Sequence, residues 1–144
     1  MHFPMFFDLH DKKIVVVGGG NIAQRRIEVL LSFGARVIIV APQTKAVPEG
    51  ADWVSRCYET GDLEGAFFCV AATNERAVNH QVYLDAKALG IPASIADCRE
   101  ECSFFFPAIC EGDNLVAGVV SDGTDHHKPA RAARAIRQAL EEVK

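Results

Sequence analysis

Ile14-Val15-Val16-Val17-Gly18-Gly19-Gly20-Asn21-Ile22-Ala23 runs four β-branched apolar residues into three glycines and then into a helical pattern. The stretch reads as a strand, a tight turn and a helix start. Gly18, Gly20 and Ala23 fill the three small-residue positions of the dinucleotide fingerprint: one for the turn, one for backbone approach to a pyrophosphate, one for helix–strand contact. A helix opening at Asn21 would offer unpaired N–H groups and partial positive charge to phosphates. Ala23, Ile27, Leu30, Leu31 and Gly34 then recur at helical spacing, and residues 37–41 supply a second apolar run of strand length. The same glycines have a plain structural reading, as small residues that let a helix pack closely on a strand.

Working outward, the second strand spans 36–41 and stops at Pro42, which has no N–H for a ladder. Many NAD-binding folds place an acid here for the ribose 2′-OH. This strand ends Val40-Ala41-Pro42-Gln43, without one, so spacing alone leaves NAD and NADP open. Residues 44–50 read as an exposed loop and 53–58 as a peripheral strand. The continuous apolar run 66–72 suits a parallel strand covered on both faces. It ends in Thr73-Asn74, and a helix follows with Val78, Val82, Ala86 and Leu89 on one stripe, closed by Gly90 and Pro92. A short strand over 91–96 delivers Asp97 at its carboxyl end. Strands alternating with helices predict an α/β fold, a Rossmann-like doubly wound parallel sheet whose ligands sit beyond the carboxyl ends of the strands. Three loops meet there: 18–22, 72–74 and 96–99. Thr73 and Asn74 also suit helix capping, and Asp97 also suits a turn.

Composition bounds the function. At 144 residues and 49% hydrophobic, the chain can bury a core, and a formal net charge of −4 argues against nucleic acid as a partner. No apolar run approaches the ~20 residues needed to span a bilayer, and residues 1–13 lack a signal-peptide layout, which predicts a cytoplasmic protein with no membrane partner. Five cysteines, none in a C-x-x-C pair, predict reduced thiols rather than a disulfide framework or a zinc site. Residues 1–9, rich in phenylalanine, are expected to lie over the core.

After Asp97 the pattern changes. Residues 103–110 are aromatic-rich, and 114–121 look like a strand entered through the turn Glu111-Gly112-Asp113, so the two predict a hairpin outside the main sheet. A last helix begins near Pro129, with Ala133, Ile136, Leu140 and Val143 on one stripe. A hairpin plus one helix has too little core to stand alone, so it should pack on the sheet or on a second copy. We divide the chain into a Rossmann-like NAD-binding domain, 1–110, and a short strand-plus-helix segment, 111–144, for dimerisation and the substrate cleft.

Phe3-Pro4-Met5-Phe6 and Leu9 before the glycine strand, Ala23-Gln24-Arg25-Arg26, Val40-Ala41-Pro42, Ala71-Ala72-Thr73-Asn74 with Asn79, Asp97, and Ser103-Phe104-Phe105-Phe106-Pro107-Ala108 together resemble the amino-terminal module of siroheme synthase. This is the precorrin-2 dehydrogenase and sirohydrochlorin ferrochelatase family. The resemblance implies NAD-dependent oxidation of precorrin-2 to sirohydrochlorin, with insertion of Fe2+ to give siroheme in bifunctional members. It assigns the catalytic role to Asp97 and adds Asn21, Ile22, Pro42, Gln43, Thr73 and Asn74 as cofactor contacts to the Gly18 and Gly20 of the fingerprint. It places Ser121 near the tetrapyrrole cleft and implies a homodimer.

The chemistry agrees: a bound NAD takes hydride, and one strand-end carboxylate takes a proton. A polycarboxylate substrate calls for basic partners, so Arg99, Lys128, Arg131 and Arg134 are candidate contacts, although a solvated helix face would look the same. Relatives commonly carry a Ser-x-Gly-x-Ser-Pro turn before the last helix, whereas this chain reads Ser121-Asp122-Gly123-Thr124-Asp125-His126-His127-Lys128-Pro129. Adjacent histidines cannot readily share one metal, so His126 is the candidate for holding an incoming Fe2+. The alternative reading is a regulatory module that senses NAD or NADH without turnover. Such modules usually keep the acid that the second strand lacks here.

Overall fold

A computed structural model describes residues 2–125 and 127–143. Its contacts divide into two compact units, Phe7–Phe104 and Met1–Phe6 with Phe105–Lys144.

The first is a Rossmann-like unit: β1 (Lys13–Val17), α1 (Asn21–Ser32), β2 (Arg36–Val40), β3 (Ala51–Val54), β4 (Phe68–Ala71), α2 (Arg76–Leu89), β5 (Ala93–Ile95) and a single 3-10 turn, Arg99–Glu101. Its strands form one parallel five-stranded sheet in the order β3-β2-β1-β4-β5. The glycine strand is central, between β2 and β4, and is apolar on both faces: Ile14, Val15 and Val16 are fully buried and Val17 is 1% exposed. Alternation along the strand sends Val15 and Val17 into a cluster with Cys69, Ala71, Val82, Ala86 and Ile95 under α2, and Ile14 and Val16 to the opposite face. Each such side chain contributes about 1.5–3 kcal/mol through removal from water. Chain order reverses between β1 and β4, which opens a crevice at the carboxyl ends of those two strands.

The second helix stops at Gly90, as the sequence predicts, and the first stops in the same way at Gly34. Gly34 (φ +78°) and Gly90 (φ +69°) adopt the left-handed conformation, and the amides of Ala35 and Ile91 return to the carbonyls of Leu30 and Ala86. Edge strand β5 is covered from one side by the segment that follows Asp97. The Ala93 amide donates to Ser103 Oγ (2.8 Å), Ser103 N–H donates to the Ala93 carbonyl (2.8 Å), and Phe104 packs edge-on against Phe68 at 4.8 Å.

Three sequence expectations need correction. The peripheral strand is Ala51–Val54, not 53–58, because the Arg56 amide turns back to the Val54 carbonyl and its guanidinium closes a loop on Asp62. The amino-terminal segment does not lie over a core: Phe3, Met5, Phe6 and Phe7 are 85%, 65%, 73% and 57% exposed, although Phe7 meets Phe67 edge-on. The hairpin turns one residue later than expected.

That hairpin belongs to the second unit, where β6 (Ala108–Gly112) pairs antiparallel with β7 (Leu115–Val119). Its two loop residues, Asp113 (φ +45°) and Asn114 (φ +65°), make the turn whose twist matches paired strands. α3 (Lys128–Glu142) packs on it, with Cys110 Sγ reaching the Ala133 carbonyl at 3.4 Å and Arg137 donating to the Ile109 carbonyl at 2.7 Å. A Cβ on Gly112 would stand 2.9 Å from that of Leu140, so the glycine sets how closely α3 approaches.

Candidate cofactor and catalytic site

The glycine turn shows a division of labour. Gly18 has φ +123°, and a Cβ there would lie 2.4 Å from the Ala72 carbonyl oxygen; a Cβ on Gly19 would lie 2.2 Å from that of Gln43. Both glycines are therefore required by backbone that crosses them. Gly20 differs: it is exposed, its φ is −81°, and a Cβ would meet nothing within 4 Å. Packing gives no reason for glycine at position 20, and the open strip of backbone at the start of α1 fits a pyrophosphate. Gly19, absent from the three-position fingerprint, proves as constrained as Gly18. No periodicity signals it, because its constraint comes from a loop 24 residues later.

The loop after β2 closes one side. Lys45 N–H donates to the Gly19 carbonyl (3.2 Å), Lys45 Nζ bonds Asn21 Oδ1, and Gln24 Nε2 donates to Thr44 Oγ1 (2.8 Å) and the Ala46 carbonyl (3.0 Å). Pro42 and Gln43 are exposed beside the turn, as is Ile22 on the first turn of α1. Trp53 Nε1 donates to the Ala41 carbonyl (2.9 Å) and pins the start of this loop. The structure thus brings Gly18, Gly20, Asn21, Ile22 and Gln43 to one place.

The loop after β4 closes the other side through Asn79, which is fully buried on α2. Its Oδ1 accepts from Thr73 N–H (3.1 Å) and Thr73 Oγ1–H (2.7 Å), and its Nδ2 donates to the Thr73 carbonyl (3.1 Å). Thr73 Oγ1 accepts from the Glu75 amide (3.2 Å). Thr73 is therefore structural in its side chain, whereas Asn74 is exposed and makes no cap on α2. The buried face of that helix is Asn79, Val82 and Ala86, and Leu89, expected on the stripe, is 50% exposed.

Asp97 sits just beyond β5 in a network the apolar pattern did not signal. Arg76, on the first turn of α2, donates Nη1 to Asp97 Oδ1 (2.6 Å) and Nη2 to Glu101 Oε2, while His80 Nδ1 lies 2.7 Å from Glu101 Oε1. Partial burial works against the charge of Arg76 more than any other single influence, yet Glu101 and Asp97 together hold it above its ordinary value. Burial likewise pushes Glu101 up, and the hydrogen bonds from His80 and Arg76 outweigh it, leaving the carboxyl below its usual range. The detectable signal was the Arg76/His80 pair, four apart on one helix face, with acids just after Asp97. Burial pushes the Cys69 thiol up to about 12, which marks an inert core sulfur.

The expected substrate contacts divide between the units. Arg99 opens the 3-10 turn two residues after Asp97 and is half-buried. The others lie in the hairpin–helix unit. Ser121 Oγ accepts from the Gly123 amide (3.2 Å), and Arg131 pairs with Asp125 (2.9 Å). That carboxylate also accepts from the backbone amides of His127 and Lys128 where the chain enters α3. Arg134 is exposed on α3. His126, the candidate metal ligand, lies outside the described residues. Among the described residues no group of three or more His, Cys, Asp or Glu could hold a metal ion. Also among them, no helix is long and apolar enough to cross a membrane.

Comparison with known proteins sets this geometry in a family. Residues 5–108 match the family model described as "Putative NAD(P)-binding". A protein of Ruminiclostridium josui titled "Probable multifunctional siroheme biosynthesis protein HemA" is 52% identical over 131 residues, covering 87% of this chain and 25% of that protein. The siroheme synthase of Psychrobacter sp. (strain PRwf-1) is 36% identical over 145 aligned residues, covering 96% of this chain and 29% of the synthase. The chain thus spans between a quarter and three tenths of these curated relatives. Among solved structures, "SirC, precorrin-2 dehydrogenase" superposes with a TM-score of 0.78 at 27% identity, covering 98% of this chain and 72% of that one. The chain belongs to this NAD(P)-binding family, in the branch that forms the amino-terminal module of siroheme synthases.

Proposed function

We propose that this chain catalyses the NAD-dependent dehydrogenation of precorrin-2 to sirohydrochlorin. The observation that carries the reading is the contrast within the glycine turn: position 20 alone has room for a side chain and carries none. The similarity to siroheme synthases and to a precorrin-2 dehydrogenase supports the substrate.

Bound NAD supplies a hydride acceptor. The backbone of Gly18 and Gly20 with Asn21 and Ile22 would hold its pyrophosphate, Pro42 and Gln43 its adenosine side, and Thr73 and Asn74 its far side. Asp97 is the carboxylate that accepts the proton lost with the hydride, so that two hydrogens leave the macrocycle as hydride and proton. Arg99 on the sheet unit, and separately Ser121, Lys128, Arg131 and Arg134 on the hairpin–helix unit, are candidate contacts for tetrapyrrole carboxylates. We assign no step of Fe2+ insertion to the described residues. We further propose a homodimer through the hairpin–helix unit, whose Leu115, Val116 and Val120 are 43%, 41% and 43% exposed. A cytoplasmic location suits the five free thiols.

The test pairs binding with turnover. Gly20→Asp puts a negative charge where a phosphate would approach, so calorimetry should show loss of NAD binding in a variant that melts like the parent. The parent mixed with NAD and precorrin-2 should form NADH well beyond one equivalent. Unchanged NAD affinity in Gly20→Asp would place the cofactor elsewhere, and binding without turnover would favour the sensor.

A further inference from the structure

We propose that Arg76 is a positioning residue for Asp97, and that Glu101 and His80 hold Arg76 in that role. The inference rests on the reading of Asp97 as the proton acceptor.

Asp97 lies in a short segment after a three-residue strand, and its side chain is 37% exposed. Nothing in β5 fixes its χ angles. A proton acceptor must nonetheless be held in direction and not merely in place, since small misplacements cost orders of magnitude in rate. Arg76 supplies that direction. Its planar fork engages two carboxylates from the same loop, Nη1 on Asp97 and Nη2 on Glu101, and a fork so divided cannot swing without breaking both contacts. Glu101 is the less exposed anchor, at 15%, and its second oxygen is taken by His80, one turn along α2 from Arg76. Arg76 and His80 therefore grip one carboxylate from the same helix face. The start of that helix is itself fixed to the end of β4 by Asn79 and Thr73. A continuous set of contacts runs from β4 through α2 to Asp97 Oδ1, and among the described residues none hydrogen-bonds Oδ2, the oxygen assigned to the substrate proton.

The experiment uses the full chain and four variants: Asp97→Asn, Arg76→Met, Glu101→Gln, and Arg76→Met combined with Asp97→Asn. Initial rates with precorrin-2 give kcat and KM, calorimetry gives NAD affinity, and melting temperature reports folding. Arg76→Met should lower kcat about tenfold with KM and NAD affinity within about twofold of the parent. Glu101→Gln should move kcat the same way by less, which keeps the test intact if Arg76→Met folds poorly. In the Asp97→Asn background, Arg76→Met should cost less than about twofold more, because its effect passes through Asp97. An unchanged kcat in both Arg76→Met and Glu101→Gln, or losses that multiply in the double variant, would overturn the proposal. A raised KM with kcat preserved would make Arg76 a substrate contact and overturn it too. Parent-like turnover in Asp97→Asn would instead overturn the reading of Asp97 itself.

Discussion

In the Rossmann-like unit, four consecutive residues of the central strand are exposed by no more than 1%, and helices cover both faces of the sheet. In the hairpin–helix unit, the buried residues among those described are Cys110 and Ala133 alone. The difference follows from architecture. A parallel sheet needs both faces covered and so buries its strands completely. A two-stranded hairpin has one face for its helix and another for whatever else it meets. The first unit is therefore stabilised from within, and it carries the rigid cofactor turn and the Asp97 network. The second leaves apolar side chains such as Leu115 and Val116 and basic ones such as Arg134 accessible.

The sharpest way to break this comparison is inside the glycine turn. Gly18→Ala combines a left-handed φ with a Cβ 2.4 Å from a backbone carbonyl, and neither can relax through a flexible side chain. It should cost about 3–5 kcal/mol in denaturant unfolding, whereas Gly20→Ala should change stability by less than about 1 kcal/mol. Trp53, the single tryptophan, reports the transition from within the sheet unit. Equal effects of the two substitutions would remove the distinction between a glycine held by packing and one kept open.

Much of this was legible beforehand, for identifiable reasons. The alternation of apolar runs with helical stripes predicted a parallel α/β sheet, and Gly90 closed α2 where expected, because burial and left-handed caps leave marks in single residues. The site was legible only in part. Gly20 opens α1 and Asp97 follows β5, positions that spacing reveals. Gly19, Arg76, Glu101 and His80 matter through contacts with residues some 20 or more positions away, such as Arg76 with Asp97 at a separation of 21. Local spacing hints at them only through the four-residue interval of Arg76 and His80 beside the acids after Asp97, and it does not say which partner each meets. The hairpin loop shifted because Asp113 and Asn114 both tolerate positive φ, which a rule keyed to glycine overlooks.

A second comparison sets matched core truncations side by side. Ile27 on α1 is fully buried, and Ile27→Ala should cost about 3 kcal/mol through lost transfer energy and the cavity left behind. Leu140 on α3 is only half-buried, so Leu140→Ala should cost about 1 kcal/mol in the isolated protomer. Denaturation across a range of protein concentration separates the two. A Leu140→Ala cost as large as that of Ile27→Ala and independent of concentration would mean that the hairpin unit has a closed core of its own.

The smallest expected effect is electrostatic and compares one carboxylate from each unit. The hydrogen bond from Arg56 is the main influence holding Asp62 below the usual carboxylate range; its two contacts are 2.6 and 2.8 Å, and the Glu59 amide adds a third at 2.8 Å. Asp125 is held low first by the His127 amide, and then by Arg131 and the Lys128 amide against some opposing burial. Both groups have folded-state values below their unfolded ones. Their stabilisation is therefore fully present above the unfolded value of about 3.9 and is lost as pH falls through the lower folded value. The Asp62 side chain is 12% exposed and that of Asp125 is 40%, so water screens the second more. Asp62→Asn should thus lower the melting temperature at neutral pH by more than Asp125→Asn does. Each gap to the parent should narrow as the measurement is moved from neutrality to about pH 3, where the parent carboxylates begin to lose their charge. A gap that stays constant over that range would mean that shape and hydrogen-bond count, rather than the ionised carboxylate, hold the 56–62 loop. An Asp125→Asn effect larger than that of Asp62→Asn would reverse the ranking of the two units on this measure.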